Sequence, residues 1–349
     1  MENARRRNIL KDWFGYAENG DFYLDRHKIF FEWIENDIDF KNDGTDNADA
    51  LAKLDLATSV VKYMRQHMGE TRAQVKAGLQ QGAFTGKSDR NQQAAIDRAI
   101  RLWLRVNSRD PEDVQDQERS GRWAEGSQLS IFARGIFYPT GAQGDIQKPT
   151  DLSEIVGIQS RLTHRLTVAN IVKYTEIEVQ PAEFLWKHLY YNSNLNVLYV
   201  FWEKQWLLDA LALTKKQPPQ IPIPTQVIEE TIESLDYLFP AYEQRTTDYL
   251  EKNGINLDDE NGCRGVRPAL KDFALYNSRL IDIAYEFLNP PRDWRSIWKD
   301  RRNPMQFWTF WLGLLIFIIT VVLGVVASVL AGLQLGVALY PPSGKANSG

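Results

Sequence analysis

The chain has 349 residues, with 41 basic and 45 acidic side chains and a formal net charge of −4. That balance argues against a nucleic-acid-binding protein, which carries a basic excess. A single cysteine, Cys263, excludes an intrachain disulfide and any cysteine-cluster metal site. Four histidines, at 27, 67, 164 and 188, would nearly all have to meet for a zinc enzyme. No cofactor is expected from these residues.

In chain order, residues 1–24 read as a polar N-terminal arm and 25–110 as a helical subdomain. KIFFEWIENDIDF (28–40) is apolar but ambiguous in period. Leu54, Ala57, Val61, Met64 and Met68 recur every three or four residues and predict one face of an amphipathic helix. Ile96, Ala99, Trp103 and Val106 predict a second helix over 92–107. The stretch 111–160 reads as a loop-rich connector carrying one short apolar element at 129–138.

The segment 161–289 reads as an α+β subdomain. LTVANIVKY predicts a short helix and TEIEVQ a strand ended by Pro181; the aromatic and β-branched run NVLYVFW follows a turn at 192–194. Helices are expected over 203–213, 224–239, 241–253 and 270–288. The fold class is therefore mainly α with a small β element, plus one C-terminal transmembrane helix.

That last helix is the dominant feature. No charged side chain lies between Arg302 and Lys345, and Phe307 to Leu333 supplies 27 residues, where a bilayer needs roughly 20. A buried core helix would rarely be so long and so uniformly apolar. Taken from 305 to 335, the span leaves a short non-cytosolic tail at 336–349. Trp308 and Trp311 mark one membrane interface. Arg292, Arg295, Lys299, Arg301 and Arg302 precede the span and only Lys345 follows, which predicts a cytosolic N-terminal domain and a tail-anchored topology. The N-terminus lacks the apolar stretch of a signal peptide. Endoplasmic reticulum or later secretory membranes fit better than the mitochondrial outer membrane, whose anchors carry basic residues on both flanks.

Three blocks, AIRLWLRVNSRD (99–110), VANIVKYTEIEV with FLWKHLYYNSNLNVLYVF (168–201), and PPRDWRSIWKDRRNPMQFWTFW (290–311), resemble an uncharacterised family of filamentous-fungal proteins with a C-terminal membrane span. The resemblance implies an architecture and a membrane address; it brings no activity and no catalytic residue.

Each candidate motif has a plainer rival. GAFTGKS (82–88) is one residue short of a phosphate-binding loop and follows a helical segment, so an inter-helix turn is expected. The acidic loop 37–50 fails as a calcium loop, with Lys41 at the third position and Ala50 at the twelfth. Its residues suit a turn and a helix cap. His164 and His188, with Glu176 or Glu183, would anchor an enzyme reading, but no spacing fixes a nucleophile and base. Cys263 reads as a loop cysteine beside Arg264. Lys216, Pro219 and Pro222 fit a ligand of SH3-type domains, against a stiff connector over 215–224.

In the juxtamembrane segment 290–304, Trp294, Ile297 and Trp298 share a helix face beside Arg292, Arg295, Lys299 and Arg302, which suits an interfacial helix on anionic lipid. The competing reading packs that helix on the core. Within the span, Gly324, Ser328, Gly332 and Gly336 repeat every fourth residue, a pattern for close helix pairing and homo-oligomers. The expected function is a protein-interaction or scaffold module on a membrane, with lipids and a cytosolic protein as partners and no nucleic acid. The rivals are a membrane-tethered enzyme with a non-motif site and an oligomeric channel or transporter subunit.

Overall fold

The computed structural model describes residues 1–16, 21–38, 48–107, 121, 123–138, 156–158, 162, 166–255, 257, 268–288 and 304–339. The chain divides into two compact units, 1–289 and 290–349. The fold is mainly α with one small sheet and a long apolar C-terminal helix.

The first unit opens with helix α1 (Asn3–Phe14), where the sequence read as a polar arm. Ile9, Leu10, Trp13 and Phe14 form one buried patch in its second half, with Lys11 and Asp12 between the two apolar pairs. Arg5 pairs with Asp55 across the surface. Helices α2 (Asp21–Arg26) and α3 (Lys28–Asp37) follow, and Phe30, Phe31 and Ile34 settle the ambiguous segment as a helix with one buried face.

Helix α4 (Ala48–Gln66) buries Leu54, Ala57, Val61 and Met64, four of the five stripe residues legible in the sequence, against helix α6 (Asp89–Leu104) and α1; Met68, the fifth, falls in the turn beyond the helix end. Between them, α5 (Arg72–Leu79) starts at a capping box in which Thr71 and Gln74 exchange hydrogen bonds. The turn from Gln80 to Gly86 joins two helices, and Ser88 caps α6 by accepting from the Asn91 N–H. Helix α7 (Leu129–Phe137) is the short element inside the connector.

Helix α8 (Val168–Tyr174) leads into β1 (Glu178–Pro181), β2 (Tyr190–Asn192) and β3 (Val197–Val200). The sheet order is β1-β3-β2, with β1 parallel and β2 antiparallel to β3. Pro181 lies in an edge strand, where its missing N–H costs least. The β2–β3 turn is built on Asn192, whose Oδ1 accepts the N–H groups of Asn194 and Leu195.

Helices α9 (Lys204–Thr214) and α10 (Thr225–Leu238) pack on each other. Helix α11 (Gln244–Asn253) ends at Gly254 in the left-handed conformation, with Ile255 N–H reaching back to the Leu250 carbonyl. The run 270–288 is not one helix. A single 3₁₀ turn at Leu270–Asp272 precedes α12 (Asn277–Leu288), because Glu230 Oε2 takes the N–H groups of Leu275 and Tyr276 at the break. One contiguous core, with Trp13, Trp103, Trp123 and Trp206 fully buried, runs through both segments that the sequence suggested as subdomains.

Gly15 terminates α1 at φ +79°, its N–H on the Lys11 carbonyl. A side chain there is strained, so Gly15→Ala should lower unfolding stability by about 1–2 kcal/mol, measured as a shift in urea midpoint at unchanged slope.

Candidate functional site: a membrane helix and a buried ionic layer

The second unit contains helix α13 (Pro304–Leu339). Its segment Trp308–Leu335, 28 residues, is long and apolar enough to cross a membrane, and none of its most apolar window is buried. Trp308 is 69% exposed at the start of that segment; Trp311 stands one turn further on. Two hydroxyls deep in the span are satisfied within the helix: Thr320 Oγ1 donates to the Ile316 carbonyl at 2.9 Å and Ser328 Oγ to the Gly324 carbonyl at 2.8 Å. Neither hydroxyl therefore needs a partner from outside the helix. Gly324, Ser328 and Gly332 stand at every fourth position, and open space surrounds both glycines where a Cβ would project. Gly336 continues the row within the helix. Trp294, Trp298, Arg295, Lys299, Arg301 and Arg302 lie outside the described residues, as do His164, Cys263 and residues 39–47 of the acidic loop.

The proline segment is a packed connector. Pro222 is buried between Ile221 and Ile223, which are 2% exposed each. Gln220 accepts from Arg65 at 2.6 Å. Lys216 and Pro219 are exposed, but an SH3-type groove needs both prolines, and Pro222 reaches it only if the core opens.

His188 is fully buried, and both ring nitrogens are committed. The Phe201 N–H donates to Nδ1 at 3.1 Å, which places the ring proton on Nε2, 2.6 Å from Ser234 Oγ. Ser234 in turn donates to the Thr231 carbonyl at 2.7 Å. A Ser–His pair of this polarity cannot act as nucleophile and base, because Nε2 already carries a proton. Burial, with the Arg279 charge adding to it, holds the His188 pKa well below its usual value. Neighbouring Tyr276 is pushed up to about 12, chiefly by burial.

The charged residues that sequence reasoning missed lie at the end of α6. Arg101 binds Asp37, donates to Glu183 Oε1 at 2.9 Å, and stands 4.6 Å from the Phe184 ring. One turn on, Arg105 is left-handed at φ 54° and fully buried; it pairs with Glu203 and lies 3.6 Å over the Trp33 ring. Burial lowers the Arg105 pKa and raises that of Glu203, and each partner opposes the other's shift. Beside them, His27 Nδ1 donates to the Tyr23 carbonyl at 2.8 Å, and Nε2 meets Asp209 Oδ2 at 2.6 Å. Asp209 also accepts from Tyr16 and Gln205. Burial first, then Asp209, raises the Tyr16 pKa. Earlier in α6, Asp97 accepts from the buried Arg72 through both carboxylate oxygens, at 2.7 and 3.0 Å. The signal in the sequence was two arginines four apart inside RLWLRV, where every neighbour is apolar.

Among the described residues no three histidine, cysteine or acidic side chains are grouped to hold a metal. Comparison with protein-family models, curated proteins and solved structures gives no match.

Two outcomes follow from these contacts. Glu203→Ala leaves Arg105 buried without a counter-charge and should cost about 3–5 kcal/mol; Arg105→Met combined with Glu203→Leu should recover most of it, as read from denaturation midpoints. His188 is neutral when folded and protonates when unfolded below about pH 6.5. Unfolding therefore takes up a proton there, and stability should fall with decreasing pH by up to about 1.4 kcal/mol per unit. His188→Gln, titrated with urea between pH 7.5 and 5, should show a shallower fall.

Proposed function

We propose that this is a single-pass membrane protein whose 1–289 unit is presented on the cytosolic face as a protein-interaction or scaffold module. The observation that carries the reading is the Trp308–Leu335 helix together with its flanks. Five cations, Arg292, Arg295, Lys299, Arg301 and Arg302, precede it and Lys345 alone follows, which sets orientation by the excess of Lys and Arg. The tryptophans at 294, 298, 308 and 311 suit the headgroup layer, and the cations among them suit anionic lipid. The resemblance of the 290–311 block to fungal membrane proteins supports the same address. An endoplasmic reticulum or later secretory membrane suits the weakly charged tail, with the chain as a tail-anchored protein. Self-association through Gly324, Ser328, Gly332 and Gly336 suits a scaffold, since small residues let helix backbones approach closely. The commitment of His188 and Ser234 to structural hydrogen bonds favours this reading over an enzyme built on them.

A fluorophore before Met1 and a glycosylation acceptor after Gly349 test topology. A glycosylated tail on membranes whose fluorophore is removed by added protease is the expected result. A soluble, unglycosylated chain, or a protected fluorophore, overturns the reading. Replacing Gly324, Ser328 and Gly332 with Leu should reduce self-association in a membrane reporter assay, and unchanged association removes the oligomer.

A further inference from the structure

Helix α13 is longer than a thin membrane needs. Trp308–Leu335 has 28 residues. Its first four, Trp308 to Trp311, suit the headgroup layer, which leaves an apolar run of 24 residues from Leu312 to Leu335. At about 1.5 Å per residue that run is about 36 Å long. Gln334, its one amide, stands a residue from the end. The hydrocarbon of the endoplasmic reticulum is about 27 Å thick, and that of the sterol- and sphingolipid-rich cell-surface membrane about 32–33 Å. The run exceeds the first by about 9 Å and the second by about 3 Å. Tilt absorbs either excess, but the cost grows with each ångström, so length favours the thicker bilayer.

Girth is a second and independent feature. Between Leu312 and Leu323, Gly313 is the one glycine, alanine or serine, and the rest are leucine, isoleucine, valine, Phe317 and Thr320. Between Gly324 and Leu335 there are five such small residues, Gly324, Ala327, Ser328, Ala331 and Gly332, and no aromatic ring. All five stand on exposed helix surface, and nothing lies within 4 Å of where a Cβ would project at Gly324 or Gly332. The helix is thus wide in one half and narrow in the other. Saturated tails packed by a flat sterol leave little free volume. Bulky side chains part such tails and forfeit their dispersion contacts, and a narrow helix does so less.

We propose that α13 is matched to a thick bilayer ordered by sterol and saturated sphingolipid, with its narrow half in the non-cytosolic leaflet, and that this match carries the chain past the endoplasmic reticulum to the cell-surface membrane. The inference rests on the single-pass reading with a cytosolic 1–289 unit, and names the lipid class that surrounds the helix. It calls on no headgroup chemistry, since no charged side chain lies between Arg302 and Lys345. The flanking cations set orientation; length and girth set destination.

Sorting of the full chain in a eukaryotic cell tests this, with a fluorophore before Met1 and three forms that share residues 1–289 and both flanks of the span. The first is unaltered. The second lacks Leu314 to Thr320, two helical turns, which shortens the apolar run by about 10 Å and keeps the Gly324, Ser328 and Gly332 row. The third carries Ala327→Leu and Ala331→Leu, which keep the length and the row and widen the narrow half. The unaltered chain should collect at the cell surface, and in each variant the surface-to-internal ratio should fall by about tenfold. Sterol depletion should lower the ratio of the unaltered chain as well. An unaltered chain held in the endoplasmic reticulum, either variant at the surface in the unaltered proportion, or a ratio indifferent to sterol overturns the assignment. Recruitment by the 1–289 unit would send all three forms to one place, which overturns it too. Alkaline extraction of the same cells separates the two readings: an extractable chain fails as a membrane protein, whereas an integral chain on the wrong membrane fails this inference alone.

Discussion

The arrangement of residues 1–289 depends on a charge that cannot return to water. Arg105 is fully buried, and a lone guanidinium in that position would cost several kcal/mol. Only folds that bring Glu203 to it, and the Trp33 face beneath it, are tolerable. Arg101, one helical turn earlier, is bound to Asp37 and Glu183. The last turn of α6 thus fixes α3 on one side and, on the other, the β1–β2 connection and the start of α9. The Leu185 N–H on the Arg105 carbonyl, at 3.0 Å, adds a backbone tie at the same point. Because burying such pairs costs nearly as much as their attraction returns, the layer selects one packing register rather than adding to total stability.

That role explains why the ionic layer was the least legible part of the sequence. Helices α4 and α6 were readable because apolar residues recur within a single turn, and the β2–β3 hairpin because Asn192–Asn194 separates two aromatic runs. A periodic pattern reports only which face is inward. The partner of Arg105 lies 98 residues away, and spacing holds no trace of it. What the sequence did contain was a local conflict: two arginines inside an apolar helix end.

Two elements were misread from sequence, each for its own reason. In α1 eight of twelve residues are not buried apolar ones, so the polar composition hid a patch of four buried side chains, Ile9, Leu10, Trp13 and Phe14, one turn apart in two pairs. In 270–288 the helical pattern runs unbroken, and the chain departs from it because Glu230, on another helix, captures the backbone donors of Leu275 and Tyr276. Capture by a distant carboxylate overrides propensities worth a few tenths of a kcal/mol per residue.

The membrane helix was legible for the opposite reason: its environment is a solvent, and composition alone reports solvent preference. Eighteen large apolar side chains between Trp308 and Leu339 are exposed. At about 1.5 kcal/mol or more each, keeping them in water would forgo on the order of 30 kcal/mol. A whole domain's net stability is about 5–15 kcal/mol. No rearrangement within a marginally stable unit absorbs a penalty of that size, whereas a bilayer removes it at once. The internally bonded Thr320 and Ser328 add no unpaired hydroxyl to the hydrocarbon, so a helix that is costly in water suits a lipid environment.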